Sequence, residues 1–468
     1  MHGVKLFTGA AVSVLLMALA GQSSALAETI EGALVRAYQD NPQLNAQRAF
    51  VRTTDENVPQ ALSGYRPKVS LSASVGVQYL HTDSTAASGN GRVIHQILSG
   101  NNAPRAAGLT VSQTLFNGNQ TANRTRAAEN QVSGAREGLR NIEQQVLFLA
   151  AQTYMDYLRD SATVEVNKSN VRVLEQTLKQ TQDRFNVGEV TRTDVAQSEA
   201  QLAAGRTLEQ QSEATLTATR ATYRRVIGND PVNLAPGSPV DRLLPRSLPK
   251  AVELTLIENP TVTAAMYGID VAFMNLKVNE GALLPTLSLQ ASVNQAYEQT
   301  LITPSQFSAA AIAQASMPLY QGGAEYSLIR QSKETLAQQR LTLDQTRDQA
   351  RSDTVSAWGQ LEASKAQVQS AQAQVTASEI ALNGVREEAK AGQRTTLDVL
   401  NAQQALVNAR INLVNAQHDR VVNSYRVLSS VGRLSPTVLS LKTNVYDPSV
   451  HYQQVRDSWV GVRTPDGR

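Results

Sequence analysis

From residue 119 to residue 187 the chain contains no proline and only two glycines, Gly134 and Gly138. Proline ends helices because it lacks the N–H and clashes with the preceding turn, so nothing in this stretch stops one. Small or apolar residues recur at steps of three and four: Val132, Ala135, Leu139, Ile142, Val146 and Leu149, then Val171, Leu174, Leu178, Thr181 and Phe185. That pattern is a coiled-coil seam. The step from Leu149 to Val171 is two elevens, not three sevens, which flattens the supercoil locally. At 1.5 Å per residue the stretch is a rod of about 100 Å. A globular domain has no use for one.

The rod occurs twice. Asn41-Pro42 recurs as Asn259-Pro260, Pro67-x-x-Ser-Leu as Pro285-x-x-Ser-Leu, Leu115-Phe116-Asn117-Gly118 as Leu319-Tyr320-Gln321-Gly322, and Gly188 as Gly392. The chain is an internal duplication. The first two pairs share one offset and the last two a smaller one, so copy one carries an insertion between Pro67 and Leu115. It falls in a polar, Gly-rich stretch, "HTDSTAASGNGRVIHQILSGNNAPRAAG", which reads as a loop.

Before that loop, Val69, Leu71, Ala73, Val75, Val77 and Tyr79 alternate with Ser70, Ser72, Ser74, Gly76 and Gln78. Strict period two marks a strand with one apolar and one polar face. Copy two repeats it with Leu287, Leu289, Ala291 and Val293. A second strand follows each loop, about 108–116 and about 309–320, giving four strands per chain of a length that suits a tilted bilayer-spanning strand. A pair of soluble hairpins on a core would alternate in the same way. The rest of the chain, however, offers mostly Ala, Gln, Thr and charged residues, with few large apolar side chains to cover a sheet.

The remaining helices fit the same ruler. One starts at Pro42 with Asn41 as N-cap and runs to about 63; another runs from beyond Gly188 to about 227. Copy two gives the same set around Pro260, over 322–391 and over 396–431. Gly188 and Gly392 end the rods in the left-handed cap conformation. Thr191-x-x-Asp194 and Thr395-x-x-Asp398 then read as capping boxes of the returning helices. Each copy so has a helical hairpin tip, expected about 100 Å from its strands.

The ends of the chain place it. His2 and Lys5 precede an apolar run, and Ala25-Leu26-Ala27 offers a cleavage site, so residues 1–27 read as an export signal. No later stretch is long and apolar enough for a spanning helix. Cysteine is absent, which excludes disulfides, thiolate metal sites and a lipidated Cys. With 43 Lys+Arg against 40 Asp+Glu there is no basic face for nucleic acid. The five histidines (His2, His81, His95, His418, His451) are scattered, and no H-E-x-x-H, G-x-S-x-G or P-loop occurs. We expect no enzyme, cofactor or metal; His81 and His95 share the loop, where solvated side chains are the default.

Four strands cannot close a barrel, and an open sheet edge in hydrocarbon costs several kcal/mol for each unpaired group, on the order of tens in all. Other copies must close it. Two chains give eight strands, with a filled interior; three give twelve, with room for a lumen. Geometry favours three over two and fixes neither.

The duplicated Asn-Pro helix start, the S-x-P-L-Y-x-G-G at 316–323, the degenerate Q-T-L-F-N-G at 113–118 and both G-x-x-T-x-x-D-V tips resemble the TolC-type outer-membrane efflux proteins, across nearly all of the mature chain. The resemblance implies a mainly α fold with a transmembrane β-barrel: a homotrimer with a twelve-stranded barrel in the outer membrane of a Gram-negative bacterium, continued by a periplasmic coiled-coil tunnel. The expected domains are two repeats, 28–230 and 250–434, with the linker 231–249 and the segment 435–468 in an equatorial belt.

The resemblance also implies an exit duct for drugs or secreted proteins, docking onto a periplasmic adaptor (membrane fusion protein) and an inner-membrane pump of RND or ABC type. The tip turns at Gly188, Val190, Thr191, Gly392 and Thr395 would meet the adaptor. By position Asp398 resembles a carboxylate whose threefold ring narrows the tunnel entrance. Arg394 resembles the cation that ties the copy-two tip to Thr193 and Asp194. A second ring carboxylate of the family falls at Asn401, and a tip tyrosine at Ala389, which points to a weaker gate. The simpler role of a Thr-x-x-Asp box is to satisfy backbone N–H groups, worth about 0.5–2 kcal/mol. Other classes are a periplasmic coiled-coil adaptor or a structural surface trimer without a channel; neither needs duplicated period-two strands.

Overall fold

The computed structural model describes residues 27–87, 91–465 and 467, and the expected export signal lies outside these apart from Ala27. In chain order, copy one comprises α1 (Ile30–Asp40), α2 (Pro42–Asp55), α3 (Asn57–Leu62), β1 (Lys68–Val75), β2 (Gln78–Ala87), β3 (Val93–Asn102), β4 (Arg105–Asn117), α4 (Gln120–Asn186) and α5 (Arg192–Ile227). Copy two comprises α6 (Leu248–Glu258), α7 (Pro260–Gly281), β5 (Thr286–Thr300), β6 (Thr303–Ser316), α8 (Ala324–Lys390) and α9 (Thr396–Val431), and α10 (Ser449–Val455) follows. The two rods, α4 and α8, are each 67 residues long, and both return helices are 36. No helix among the described residues is long and apolar enough to cross a membrane.

The chain falls into two compact units, each drawing on both copies. One takes the residues up to Asn45 with 142–259 and 351–445; the other takes 46–141, 260–350 and 446 onward.

The second unit holds an antiparallel sheet in the order β1-β4-β5-β6. Its register gathers the apolar positions on one face. Val69 and Leu71 pair with Val111 and Leu109, these with Ala291 and Val293, and those with Ala311 and Ala309. The other face carries Ser70, Ser72, Thr110, Ser112, Ser288, Gln290, Ser292 and Ser308, with Ile312 as its large apolar exception. A bulge between Thr114 and Phe116 sets Phe116 opposite Leu287, returning it to the apolar face. Every residue of β1 is exposed in the single chain, on both faces. β1 and β6 are the two outer strands, each with one edge unpaired within the sheet. β6 begins earlier and ends earlier than expected, leaving Leu319 and Tyr320 beyond it.

The insertion is not a loop. It folds as the hairpin β2–β3, and its register continues that of β1 and β4: Val75 pairs with Arg105, and Gln78 with Asn102. One long ladder is therefore broken at Gly76–Val77 opposite Ala103–Pro104, where proline has no N–H to give. Gly76 N–H still donates to the Pro104 carbonyl at 2.9 Å. The helix expected over 42–63 is also broken. Pro59 cannot donate to Asp55, so α2 stops there and α3 starts again, with Gln60 N–H donating to the Glu56 carbonyl.

In the first unit the coiled-coil seam packs as spaced. Val171 and Leu174 of α4 bury against Leu202 of α5 and Leu400 of α9, while Val375 and Leu382 of α8 bury against Leu406 and Ala409 of α9. The seam fails at its far end, where Phe185 is exposed. The linker is pinned at its start: Glu28 and Leu234 form a parallel bridge, and the Tyr154 hydroxyl contacts the carbonyl oxygens of Glu28 (2.8 Å) and Ala235 (2.6 Å). The C-terminal segment divides, with 435–445 in the first unit and 446 onward in the second.

Candidate functional site

Each rod ends in the same turn. Gly188 and Gly392 take φ of 83° and 77°, which glycine adopts without a Cβ penalty. In copy one the N–H groups of Gly188 and Glu189 donate to the Phe185 and Arg184 carbonyls; in copy two those of Gly392 and Gln393 donate to Ala389 and Glu388. Both are Schellman caps. An ion pair of opposite polarity staples each: Arg184 to Glu189 and Arg394 to Glu388, each at 2.9 Å.

The return helices start with complete capping boxes. Asp194 N–H donates to Thr191 Oγ1 (3.4 Å), while Asp194 Oδ2 accepts from the Thr191 backbone N–H (2.9 Å) and hydroxyl (2.7 Å). In copy two the Asp398 N–H donates at 3.2 Å, and Asp398 Oδ2 accepts at 3.0 and 2.9 Å from Thr395. The Thr191 hydroxyl and then its N–H hold the Asp194 carboxyl below the usual range, with Arg184 adding to the effect. For Asp398 the Thr395 N–H leads, its hydroxyl follows, and Arg394 adds a smaller attraction. Both carboxylates so act as caps in the chain.

Of the other expected residues, Thr193, Asn401 and Arg394 are exposed, Val190 is half-buried, and Ala389 is buried. Arg394 is engaged by Glu388 of its own hairpin. A cleft of about 360 Å³ lies beside the tips, between α4 and the α8–α9 hairpin, lined by Thr177, Gln180 and Arg184 on one side and Arg386, Lys390 and Thr396 on the other. Three of those six are cations. His81 and His95 are not brought together, since their ladder partners Ser99 and Thr85 place them four positions apart. No group of three or more His, Cys, Asp or Glu side chains that could hold a metal ion occurs among the described residues.

One cluster has no signal in the sequence. His418 of α9 is buried, with Nε2 2.8 Å from Asp156 of α4 and Nδ1 2.9 Å from Asp419. Arg159 pairs with Asp156 and Asp160, and Asp160 accepts from the Thr219 hydroxyl of α5. Burial, the largest influence on His418, favours the neutral ring, but the two carboxylates together outweigh it and raise its pKa. Through Asp156 the ring ties α9 to α4.

A sheet with one apolar and one polar face, two open edges and a pair of long helical hairpins defines a barrel-and-tunnel export channel class. The sequence profile of the family described as outer membrane efflux protein matches residues 33–229 and 251–433. The outer membrane efflux protein BepC of Brucella suis biovar 1 is 41% identical over 451 residues, 96% of this chain and 95% of that protein. The outer membrane protein TolC of Escherichia coli K12 is 24% identical over 93% of this chain and 88% of its own. Among solved structures, the CmeC outer membrane channel of Campylobacter jejuni (TM-score 0.74, 16% identity, 92% of this chain and 89% of that one) and VceC of Vibrio cholerae (0.73, 17%, 86% and 96%) share the fold. The chain belongs to the outer membrane efflux protein family.

Proposed function

We infer that the protein is the outer-membrane exit duct of a tripartite efflux or type I secretion system, carrying drugs or secreted substrates from an inner-membrane pump across the periplasm and outer membrane. The observation that carries this is the sheet: an apolar face for lipid, a Ser/Thr/Gln face for water, and unpaired edges on β1 and β6. Hydrocarbon tolerates no open edge, so β1 of one copy seals against β6 of the next. Three copies give twelve strands and a lumen. The relatives named TolC and the alkaline protease secretion protein AprF, 25% identical over 71% of this chain, support the export reading.

In this reading residues 1–27 are an export signal, the repeats 28–230 and 250–434 supply the wall, and 231–249 with part of 435–468 encircles it. The tips face the adaptor. The cation-lined cleft beside Thr177 and Lys390 suits an adaptor hairpin with acidic residues. At the entrance, Asp398 and Asp194 cap their helices, and Arg394 exchanges Glu388 for Thr193 and Asp194 when the trimer closes. With Asn401 in place of a second carboxylate, the entrance ring carries three formal charges, modest in screening solvent.

Purified trimer in planar lipid bilayers should conduct ions, and Arg394→Ala should raise the open fraction. A trimer that is electrically silent in both forms would instead favour a scaffold without a channel.

A further inference from the structure

The apolar face of the sheet is bracketed by aromatic residues. Tyr297 and Phe307 lie on it at the end remote from the helices, and Phe116 at the end where they attach. Aromatic side chains gather at both membrane–water boundaries of a barrel, so the Phe116 end marks the inner boundary. Residues 458–462 of the C-terminal segment stand at that same end. Arg66, two positions before β1, donates to the Ser458 carbonyl (2.6 Å) and lies over the Trp459 ring at 4.8 Å. The neighbouring Tyr65 carbonyl accepts from Gln113 of β4. The segment is fastened along its way, by His451 on Asp55 (3.0 Å), Tyr452 under Arg136 and Arg456 on Glu129.

What this tethered segment presents is apolar. Trp459 is 67% exposed, Val460 90% and Val462 fully exposed, beside an exposed Tyr65. Holding such side chains in water has no folding advantage. Arg66 lies against them, Lys68 opens β1 two positions on, and in sequence the stretch is flanked by Arg456 and Asp457 on one side and Arg463 on the other.

We propose that residues 458–463 form a membrane-interface anchor, in which Trp459, Val460 and Val462 enter the periplasmic leaflet of the outer membrane while Arg66, Lys68 and Arg463 meet lipid phosphates. The proposal rests on the sheet being the lipid-embedded element, since Arg66, which holds Ser458 and Trp459, lies two positions before β1. Tryptophan suits this boundary because its ring is apolar and its N–H polar. The anchor fixes the depth of the barrel where a short apolar band alone would let it slide.

The chain has two tryptophans, Trp358 and Trp459. The test compares the trimer and its Trp459→Phe variant in vesicles of phosphatidylethanolamine and phosphatidylglycerol, with and without brominated acyl chains. The difference signal reports Trp459. A Leu71→Trp reference on the lipid face, in the Trp459→Phe background, reports whether the sheet is embedded. We expect bromine to quench Trp459 emission as it quenches the reference, and aqueous iodide to leave it unquenched. Quenching of Trp459 by iodide and not by bromine would overturn the anchor by placing the segment in water. Quenching by neither would also overturn it, by placing Trp459 against another copy of the chain. If the reference also escapes bromine, the sheet is not in lipid and the channel reading fails with it.

Discussion

Gly118 and Gly281 meet backbone to backbone where the strands pass into the helices: a Cβ on Gly118 would run into the Gly281 carbonyl oxygen, and one on Gly281 into that of Gly118. The end of α7 and the turn before α4 therefore cross with no room for a side chain. Gly118 also has φ of 62°, so it is fixed twice. Gly281→Ala should cost about 1–3 kcal/mol as an overpacking change against backbone that cannot rotate aside. A lowered thermal unfolding temperature of the purified protein would register it; an unchanged temperature would show that the crossing relaxes freely.

The hairpin tips depend on their threonines. Thr191→Ala removes the acceptor for the Asp194 N–H and should cost about 1 kcal/mol locally. That corresponds to roughly fivefold faster amide exchange in the first turn of α5. Hydrogen exchange read by mass spectrometry resolves the peptide, and Thr395→Ala should act in the same way on α9.

Acid should undo the same caps. Both Asp194 and Asp398 have pKa values held below 3.8 by Thr191 and Thr395. A lowered folded value means the stabilisation is present above 3.8 and disappears as pH falls through the folded values. Tip amides should stay protected from neutral pH down to that point and lose protection only below it. Loss of protection well above it would contradict the cap geometry.

His418 works in the opposite sense. Its folded pKa lies above 6.5, so its stabilisation is complete below pH 6.5 and is lost as pH rises through the folded value. Thermal stability of the trimer should fall over that interval, and His418→Gln should flatten the dependence. Asp156, Asp419 and Arg159 are the charged groups that face the ring.

The hairpin β2–β3 extends a ladder that is already broken at Pro104. Replacing residues 77–103 by an Asn-Gly turn should preserve the pairing of β1 with β4, and with it trimer formation and conduction. Loss of the trimer would show that the hairpin takes part in closure.

Much of this architecture was legible because duplication repeats each signal. Gln120 and Ala324 begin the rods at the same spacing as Arg192 and Thr396 begin the return helices. The sheet was legible because it divides lipid from water, which enforces alternation. β2–β3 has no such division: His81, Asp83 and Ile97 share one of its faces, so the stretch beyond Tyr79 looked like loop. α1 and α6 went unread although they also repeat, at the spacing of the two Asn-Pro helix starts, because Pro249 within α6 suggested linker. At the site, the caps were local and visible at Thr191 and Thr395. The His418 cluster was not, because its partner Asp156 lies on a different helix, far away in sequence.

The central claim is that β1 of one copy pairs with β6 of the next. With no native cysteine, oxidative crosslinking tests it directly: Ser72→Cys combined in turn with a cysteine at each position from Ser308 to Gln314. The account predicts covalent trimers at the register positions in membranes. Disulfide-linked monomers at the same positions would mean that each chain closes on itself, and would contradict it.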